Sequence, residues 1–189
     1  MRQNIHARVA EFIQNPLESF DKYSEEDLFM SLEYYLILSV FFSLLSSVTT
    51  VFGMNSIATM FFNIQTEEMV LWMALPVTFT AILLVLISGL FLSGIFLHIF
   101  VIITGGKRGY VRTVKSIIFA STPALIFGWV PVAGIVAFIW SFILAIFSTR
   151  KLQEISTARA VLALIIPMTV LLIIIASLSG VYIYTYYLE

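Results

Sequence analysis

The side chains that could bind a charged ligand are few in this chain, and four of them stand together. Lys107, Arg108, Arg112 and Lys115 lie in the stretch TGGKRGYVRTVK, which contains no acidic residue. Each Lys or Arg at an anionic surface contributes about 1 kcal/mol, so four could orient an anionic lipid headgroup or an acidic protein segment. We therefore expect these cations to be a contact site for lipids or for a partner.

One further titratable side chain, His98, lies in a long stretch without charged residues. A lone histidine of this kind is expected to be a hydrogen-bonded packing residue, with proton carrier or ligand as the alternative. The chain has no cysteine, no HExxH and no Ser-His-Asp set, and TGGKRG lacks the GxxxxGK[ST] spacing of a phosphate loop. The sequence predicts no catalytic, cofactor-binding or metal-binding residue, and no nucleic-acid partner.

The composition places these residues in a membrane protein. The chain is 60% hydrophobic and only 11% charged, with mean hydropathy +1.03, whereas soluble domains average about 25% charged residues. Every charge-free run exceeds the roughly 18–20 residues of a membrane-spanning helix. The fold class is therefore an all-α, polytopic membrane helical bundle. The runs are residues 34–66, 69–106, 116–149 and 160–188.

The distribution of Lys and Arg predicts the topology. All ten fall in the N-terminal segment, in residues 104–115 or in residues 150–159. Cytoplasmic loops collect these residues, so the three places should share the cytoplasmic face of a cell membrane, with the C-terminus outside. Five spans satisfy this, of which the third and fourth form a short hairpin that either crosses the bilayer or re-enters it. They are about 33–54, 70–104, 112–128, 131–149 and 160–187, in a domain of residues 32–189.

The segment before the first span, residues 1–31, is amphipathic and predicts one or two helices lying on the cytoplasmic interface. Apolar side chains recur at helical spacing between charged ones. Residues 1–33 contain three basic and seven acidic side chains, a net charge of −4. We expect this acidic segment to dock on the two basic segments, 104–115 and 150–159.

Small residues predict where helices pack closely. Ala133, Ala137, Ser141 and Ala145 recur every four residues in the fourth span. Gly105 and Gly106, which form a turn, and Pro123, which should kink the third span, are further candidates for close helix packing. A compact bundle accounts for this pattern, and a homo-oligomer interface is the alternative.

Two stretches together resemble the Yip domain (Yip-one) family of integral membrane proteins. They are HIFVIITGGKRGYVRTVKSIIFASTPALIF and WVPVAGIVAFIWSFILAIFSTRKLQEISTARAVLALIIP. The resemblance lies in the order of motifs, namely a histidine before a Gly-Gly turn, a Thr-Pro pair, a tryptophan, and a basic segment before a proline-containing span. These are His98, Gly105, Gly106, Thr122, Pro123, Trp140, Arg159 and Pro167.

The resemblance implies five spans with a cytoplasmic N-terminus. Eukaryotic relatives carry a long polar N-terminal domain and are implicated in vesicle traffic and Rab GTPase binding. This chain lacks that domain and is similar to a prokaryotic or archaeal member, so Rab binding is not expected.

The function expected from these features is a non-enzymatic protein that organises membrane lipids or a cytoplasmic protein partner from its cytoplasmic face. The alternative is a channel or permease for a small uncoupled solute. The proline-kinked spans, His98 and a polar stripe in the first span favour that alternative. The stripe consists of Ser39, Ser43, Ser47 and Thr50.

Overall fold

The computed structural model describes residues 4–62 and 67–188, and this part of the chain consists of helices joined by short turns. Two short helices precede a bundle of long ones, as the amphipathic and charge-free segments predict. The helices are α1 (Ile5–Gln14), α2 (Pro16–Tyr23), α3 (Leu28–Phe62), α4 (Glu68–Ile103), α5 (Tyr110–Ala120), α6 (Thr122–Phe127), α7 (Pro131–Gln153) and α8 (Thr157–Leu188).

Four of these helices, α3, α4, α7 and α8, are long and apolar enough to cross a membrane. The protein is therefore a multi-pass membrane protein. The helix α4 has 36 residues, which is about 54 Å at 1.5 Å per residue and exceeds a hydrocarbon core of ~30 Å. The first span was predicted to end near residue 54, but α3 continues without a break to Phe62.

The predicted third span, 112–128, is not one helix. The chain forms α5, breaks at Ser121, and starts again as α6. Neither helix reaches the length of a membrane span, so a fifth crossing remains a prediction.

Side chains from neighbouring helices stabilise the break between α5 and α6. Pro123 has no N–H and cannot continue the hydrogen-bond ladder of a helix. The N–H of Ala124 donates instead to Ser141 Oγ of α7, at 3.0 Å. Thr122 Oγ1 donates to the Phe119 carbonyl and lies 3.0 Å from the Tyr34 hydroxyl of α3. The break is tolerated because polar groups freed inside an apolar bundle find partners there.

Replacing Ser141 with Ala should destabilise the bundle by about 1–2 kcal/mol, because the Ala124 N–H would lose its acceptor. Thermal unfolding of the purified protein in detergent measures the effect. Ser177 provides the control, because its hydroxyl is exposed and bonds only the Ile173 carbonyl of its own helix. Equal melting temperatures for Ser141→Ala and Ser177→Ala would contradict the role given to Ser141.

The helix α5 occupies the centre of the bundle, where it packs against α3, α4 and α7. The helix α8 lies outside this group, against α4 and α7. The short helices cover one end, with α1 contacting α6 and α2 contacting α7. We call this the polar end, because it also holds the 104–109 turn and the α7–α8 turn.

Candidate interaction site at the polar end

The turn after α4 is formed by the Gly-Gly pair. The Gly106 N–H donates to the Val101 carbonyl and the Gly105 N–H to the Ile102 carbonyl, which is the hydrogen-bond pattern of a Schellman motif. Gly105 has φ +98°, a left-handed conformation that disfavours any residue with a Cβ. A Cβ on Gly106 would overlap the Val101 side chain. Both glycines therefore build the turn rather than a helix–helix contact.

Replacing Gly105 with Ala should destabilise the protein by about 1 kcal/mol or more. The new Cβ would also lie 3.2 Å from a guanidinium nitrogen of Arg159. The matched control is Gly53→Ala, because Gly53 lies in α3 with no atom within 4 Å of a Cβ. That control should be neutral or stabilising, since alanine favours helices. Chemical or thermal unfolding of the two variants checks the difference, and a stable Gly105→Ala variant would contradict it.

Gln153, in the last turn of α7, holds the turn in place. Its Oε1 accepts from the Arg108 N–H at 3.2 Å, and its Nε2 donates to the Gly109 carbonyl at 3.0 Å and to Thr113 Oγ1 at 2.9 Å. Because the two ends of the amide meet a donor and an acceptor, only one orientation of the amide fits. The side chain is buried. Gln153 was not predicted from the sequence, where its only local signal is an amide beside a basic segment.

His98 joins the same network. Its Nδ1 lies 2.8 Å from Thr113 Oγ1, and its ring packs edge-on against Tyr110. The hydroxyl of Thr113 thus connects His98 of α4 to Gln153 of α7. These contacts favour the first of the two roles expected for His98, that of a hydrogen-bonded packing residue, and the choice between the two roles stays a prediction.

Two of the four predicted contact cations bind the protein's own N-terminal segment. Arg112 reaches both carboxylate oxygens of Glu25, at 2.6 and 2.8 Å, and the Ser24 carbonyl at 3.0 Å. The buried Lys115 ammonium donates to the carbonyls of Ser24 and Glu26. A further pair joins Asp21 to Lys151 of α7. The predicted docking of the acidic segment on both basic segments is confirmed.

A buried ion pair anchors the docked segment. Arg8 of α1 makes two hydrogen bonds to Glu26, at 2.9 and 2.8 Å. Its guanidinium lies over the rings of Tyr23 and Tyr34, 4.3 and 4.4 Å from their centroids. Such cation–π contacts strengthen when water is excluded. Nothing in the local sequence distinguishes Arg8 from a surface arginine.

Aromatic packing adds to this anchor. Phe12 and Phe20 are fully buried, and Phe12 stacks on Phe119 of α5 with ring centroids 5.1 Å apart. Burying each phenylalanine contributes about 1.5–3 kcal/mol, more than an exposed ion pair contributes. The N-terminal helices are therefore an integral part of the bundle, and the charges fix their register.

The exposed ion pairs of the polar end respond to acid. The pKa of Glu25 lies below its ordinary value, first because of its hydrogen bonds to Arg112 and then because of the attraction between the charges. A carboxyl with a lowered pKa stabilises the docked state above its unfolded pKa, and this contribution is lost as pH falls through the folded value.

We therefore expect the turn before α3 to loosen below about pH 4. The packing of Phe12 and Phe20 should keep α1 and α2 on the bundle. Spin labels on cysteines replacing Glu18 and Lys107 would report a broader distance distribution at low pH. The additional substitution Glu25→Gln should give part of that broadening already at neutral pH. An unchanged distribution down to about pH 3 would contradict the expectation.

Five exposed cations form a rim around the turns, and one of them, Lys151, also pairs with Asp21 of the N-terminal segment. Arg108 pairs with Glu154 across the two turns, while Lys107 is exposed and makes no ion pair among the described residues. Arg159 lies beside Gly105. We call this set the basic rim. It consists of Lys107, Arg108, Arg150, Lys151 and Arg159, all of which are exposed.

The small-residue stripe of α7 faces more than one environment. Ala137 is buried, but Ala133 is exposed. Ser141 and Ala145 line an apolar cavity of about 330 Å³ between α4, α5, α7 and α8. The close approach in this helix occurs at Gly134, where a Cβ would lie 2.7 Å from the Gly128 carbonyl oxygen. A homo-oligomer interface stays a prediction.

The serine stripe of α3 lies inside the bundle. Ser39, Ser43 and Ser47 are buried, whereas Thr50 is exposed, and three cavities found among the described residues are lined by other side chains. The solute channel therefore gains no support from these contacts.

Comparison with known families agrees with this arrangement. The Yip1 domain model matches residues 10–178, from the middle of α1 to the middle of α8. The chain belongs to the Yip1 domain family. No curated protein and no solved structure matches it. The Yip1 domain thus includes most of the docked N-terminal segment, the Gly-Gly turn and the long apolar helices, and the family resemblance of the sequence is confirmed.

Proposed function

We propose that this Yip1 domain protein is a non-enzymatic membrane scaffold whose polar end faces the cytoplasm. The basic rim would hold an acidic segment of a cytoplasmic protein partner beside the membrane. The main support for this proposal is that the polar end already binds the protein's own acidic N-terminal segment, through Arg112, Lys115 and Lys151. The same chemistry is available in trans at the exposed rim.

Not all four of the cations predicted as a contact site are expected to bind the partner. Arg112 and Lys115 are occupied by the N-terminal segment, so they support the surface rather than form it. Lys107 and Arg108 remain at the exposed turn, with Arg159 close to the same turn. Exposed charges at a rim mainly affect association rate and orientation, which suits a scaffold with exchangeable partners.

A single-cysteine crosslinking experiment tests the proposal, because the chain has no cysteine. A short photo-crosslinker would be attached at Lys107→Cys and irradiated in native membranes. The control is Glu18→Cys, an exposed position on α2 at the same end. We expect a protein adduct from position 107 that is weaker at position 18.

Charge reversal at Arg159→Glu should reduce the adduct at position 107, because the rim would lose attraction for an acidic segment. Similar adducts from both positions, or an adduct insensitive to Arg159→Glu, would overturn the proposal. Adducts with lipids alone would instead show that the rim contacts headgroups and has no stable protein partner.

A further inference from the structure

The apolar cavity between α4, α5, α7 and α8 lies beside three helices that are long and apolar enough to span a membrane. Its volume of about 330 Å³ falls within the range of about 300–1,000 Å³ found for small-molecule sites. The floor of the cavity includes the buried residues Leu97, Ala120 and Leu164. At its mouth, Phe96 and Met168 are 41% and 51% exposed. In a membrane this mouth would open to lipid rather than to water.

Small side chains create the space. Ala120 and Ser121 stand where the chain breaks between α5 and α6, and Ser141 and Ala145 belong to the small-residue stripe of α7. Pro167 of α8 also lines the cavity. Protein interiors contain few voids larger than a water molecule, so we expect a space of this size to be filled in the membrane.

The lining of the cavity selects an apolar occupant. Apart from three serines, all the described side chains that line it are apolar, and each serine hydroxyl already has a partner in the protein. Ser93 and Ser121 donate to the carbonyl three residues before each of them, at 3.2 and 2.8 Å. Ser141 Oγ accepts from the Ala124 N–H. An ordered water needs about two to four polar partners, so a hydrocarbon chain fits this cavity better than water does.

Unpaired cations lie at the polar end of α4 and α8. Arg159 is exposed, and within the described part of the chain its guanidinium makes no ion pair. One of its nitrogens would lie 3.2 Å from a Cβ on Gly105, at the end of α4. Lys107 in the adjoining turn is likewise exposed and unpaired there, whereas Arg108 and Glu154 pair with each other. An anionic group therefore complements the charge of this end.

The spacing between the cation and the cavity matches one leaflet of a bilayer. Gly105 stands eight residues after Leu97 in the sequence, and Arg159 stands eight residues before Pro167. Eight residues of helix span about 12 Å, and half of a hydrocarbon core of ~30 Å is about 15 Å. A lipid with its phosphate at Arg159 therefore has its acyl chains at the level of the cavity.

We propose that the surface between α4 and α8 binds one anionic phospholipid, with its phosphate at Arg159 and the middle of one acyl chain in the cavity. The exposed guanidinium selects the headgroup, and the apolar lining with its occupied hydroxyls selects the chain. The site shares Arg159 with the basic rim, but it needs no protein partner and does not depend on the scaffold function.

Crosslinking with lipid probes tests the proposal on the full chain. The protein would be reconstituted in phosphatidylcholine vesicles that contain a trace of probe with a photoreactive group in the middle of one acyl chain. Two probes share that chain and differ in headgroup, namely phosphatidylglycerol and phosphatidylcholine. Adducts in residues 93–97 and 164–171 would be quantified by mass spectrometry. We expect about fivefold more adduct with the phosphatidylglycerol probe, as one cation at an anionic surface would give.

The substitution Arg159→Gln should abolish this preference, because it removes the cation that attracts the headgroup. Arg150→Gln is the matched control and should retain the preference. Arg150 is an exposed cation at the end of α7, and it lines a different pocket, together with Asp21 and Glu25. Equal adducts from the two probes in the unsubstituted protein, or an unchanged preference in Arg159→Gln, would overturn the proposal.

Filling the cavity tests the position of the acyl chain. Ala145→Leu places a larger side chain in the space, so adducts of the phosphatidylglycerol probe in the two segments should fall. Ala133→Leu is the control, because Ala133 is exposed on the same helix and does not line the cavity. Equal adducts in these two variants would also overturn the proposal. Gel filtration checks that each variant remains folded, and the headgroup comparison in the unsubstituted protein requires no variant.

Discussion

The substitution Glu26→Gln should weaken the docking of the N-terminal helices by about 3 kcal/mol, because removing one member of a buried ion pair leaves the other charge uncompensated. Only 11% of the Glu26 side chain and 10% of the Arg8 side chain are exposed. An amide accepts hydrogen bonds but cannot neutralise the guanidinium. Thermal unfolding in detergent, together with proteolysis of residues 1–31, measures the loss.

The adjacent residue provides a close control. Glu25 also makes two hydrogen bonds to an arginine, but 81% of its side chain is exposed. Glu25→Gln should therefore change stability little, since exposed pairs are screened by water and salt. If Glu26→Gln and Glu25→Gln lower the free energy of unfolding equally, burial does not explain the contribution expected of the Arg8–Glu26 pair. The double substitution Arg8→Met with Glu26→Leu should recover much of the loss, because no buried charge remains.

Local sequence patterns were enough to locate α4 and the start of α7. The prediction of 70–104 for the second span agrees closely with α4 (Glu68–Ile103), and Pro131 begins α7 as the fourth predicted span required. These boundaries depend on neighbouring residues, namely charges, glycines and prolines. The break at Ser121 could not be predicted in the same way. A proline in a span usually kinks a helix, and here the N–H of Ala124 finds its acceptor in Ser141, 17 residues after Ala124 in the chain.

The contacts of the docked N-terminal segment were also predictable only in part. Its net charge predicted attachment to the basic segments, and the contacts of Arg112 with Glu25 and of Lys151 with Asp21 confirm it. The contacts of Arg8 were not predictable, because α1, α2 and α3 must pack together before Arg8 meets the rings of Tyr23 and Tyr34. The attraction between the acidic and the basic segments can thus be predicted from the sequence. The burial of the Arg8–Glu26 pair, which makes this pair more stabilising than the exposed ones, cannot.

The same distinction applies to the four predicted contact cations. Their clustering was visible in TGGKRGYVRTVK, but their separate roles depend on the structure, which places Arg112 and Lys115 in α5 and Lys107 and Arg108 in the turn before it. Arg112 and Lys115 face the N-terminal segment, whereas Lys107 remains exposed. A contact site predicted as a group of four is therefore divided between an internal clamp and an exposed rim.

The exposed part of this site depends on one uncharged side chain, so Gln153→Ala should disorganise the turn that carries Lys107 and Arg108. The Arg108 N–H and the Gly109 carbonyl would lose their partner. Both bonds are part-buried, so water can replace the lost partner and each lost hydrogen bond costs about 0.5–1.5 kcal/mol; we expect a loss of about 1–3 kcal/mol. Trypsin cleaves after Lys and Arg, so cleavage after positions 107 and 108 reports directly on the turn.

The control is Gln14→Ala, since Gln14 is exposed at the end of α1 and its loss should not change cleavage at the turn. Gln153→Glu separates geometry from hydrogen bonding. A carboxylate fits the same space and can still accept from the Arg108 N–H, but it cannot donate to the Gly109 carbonyl. We expect cleavage of Gln153→Glu at least as fast as that of Gln153→Ala, because the carboxylate would also face the carbonyl dipole. If both variants are cleaved no faster than Gln14→Ala, the turn is held by its glycine geometry alone and Gln153 only fills space.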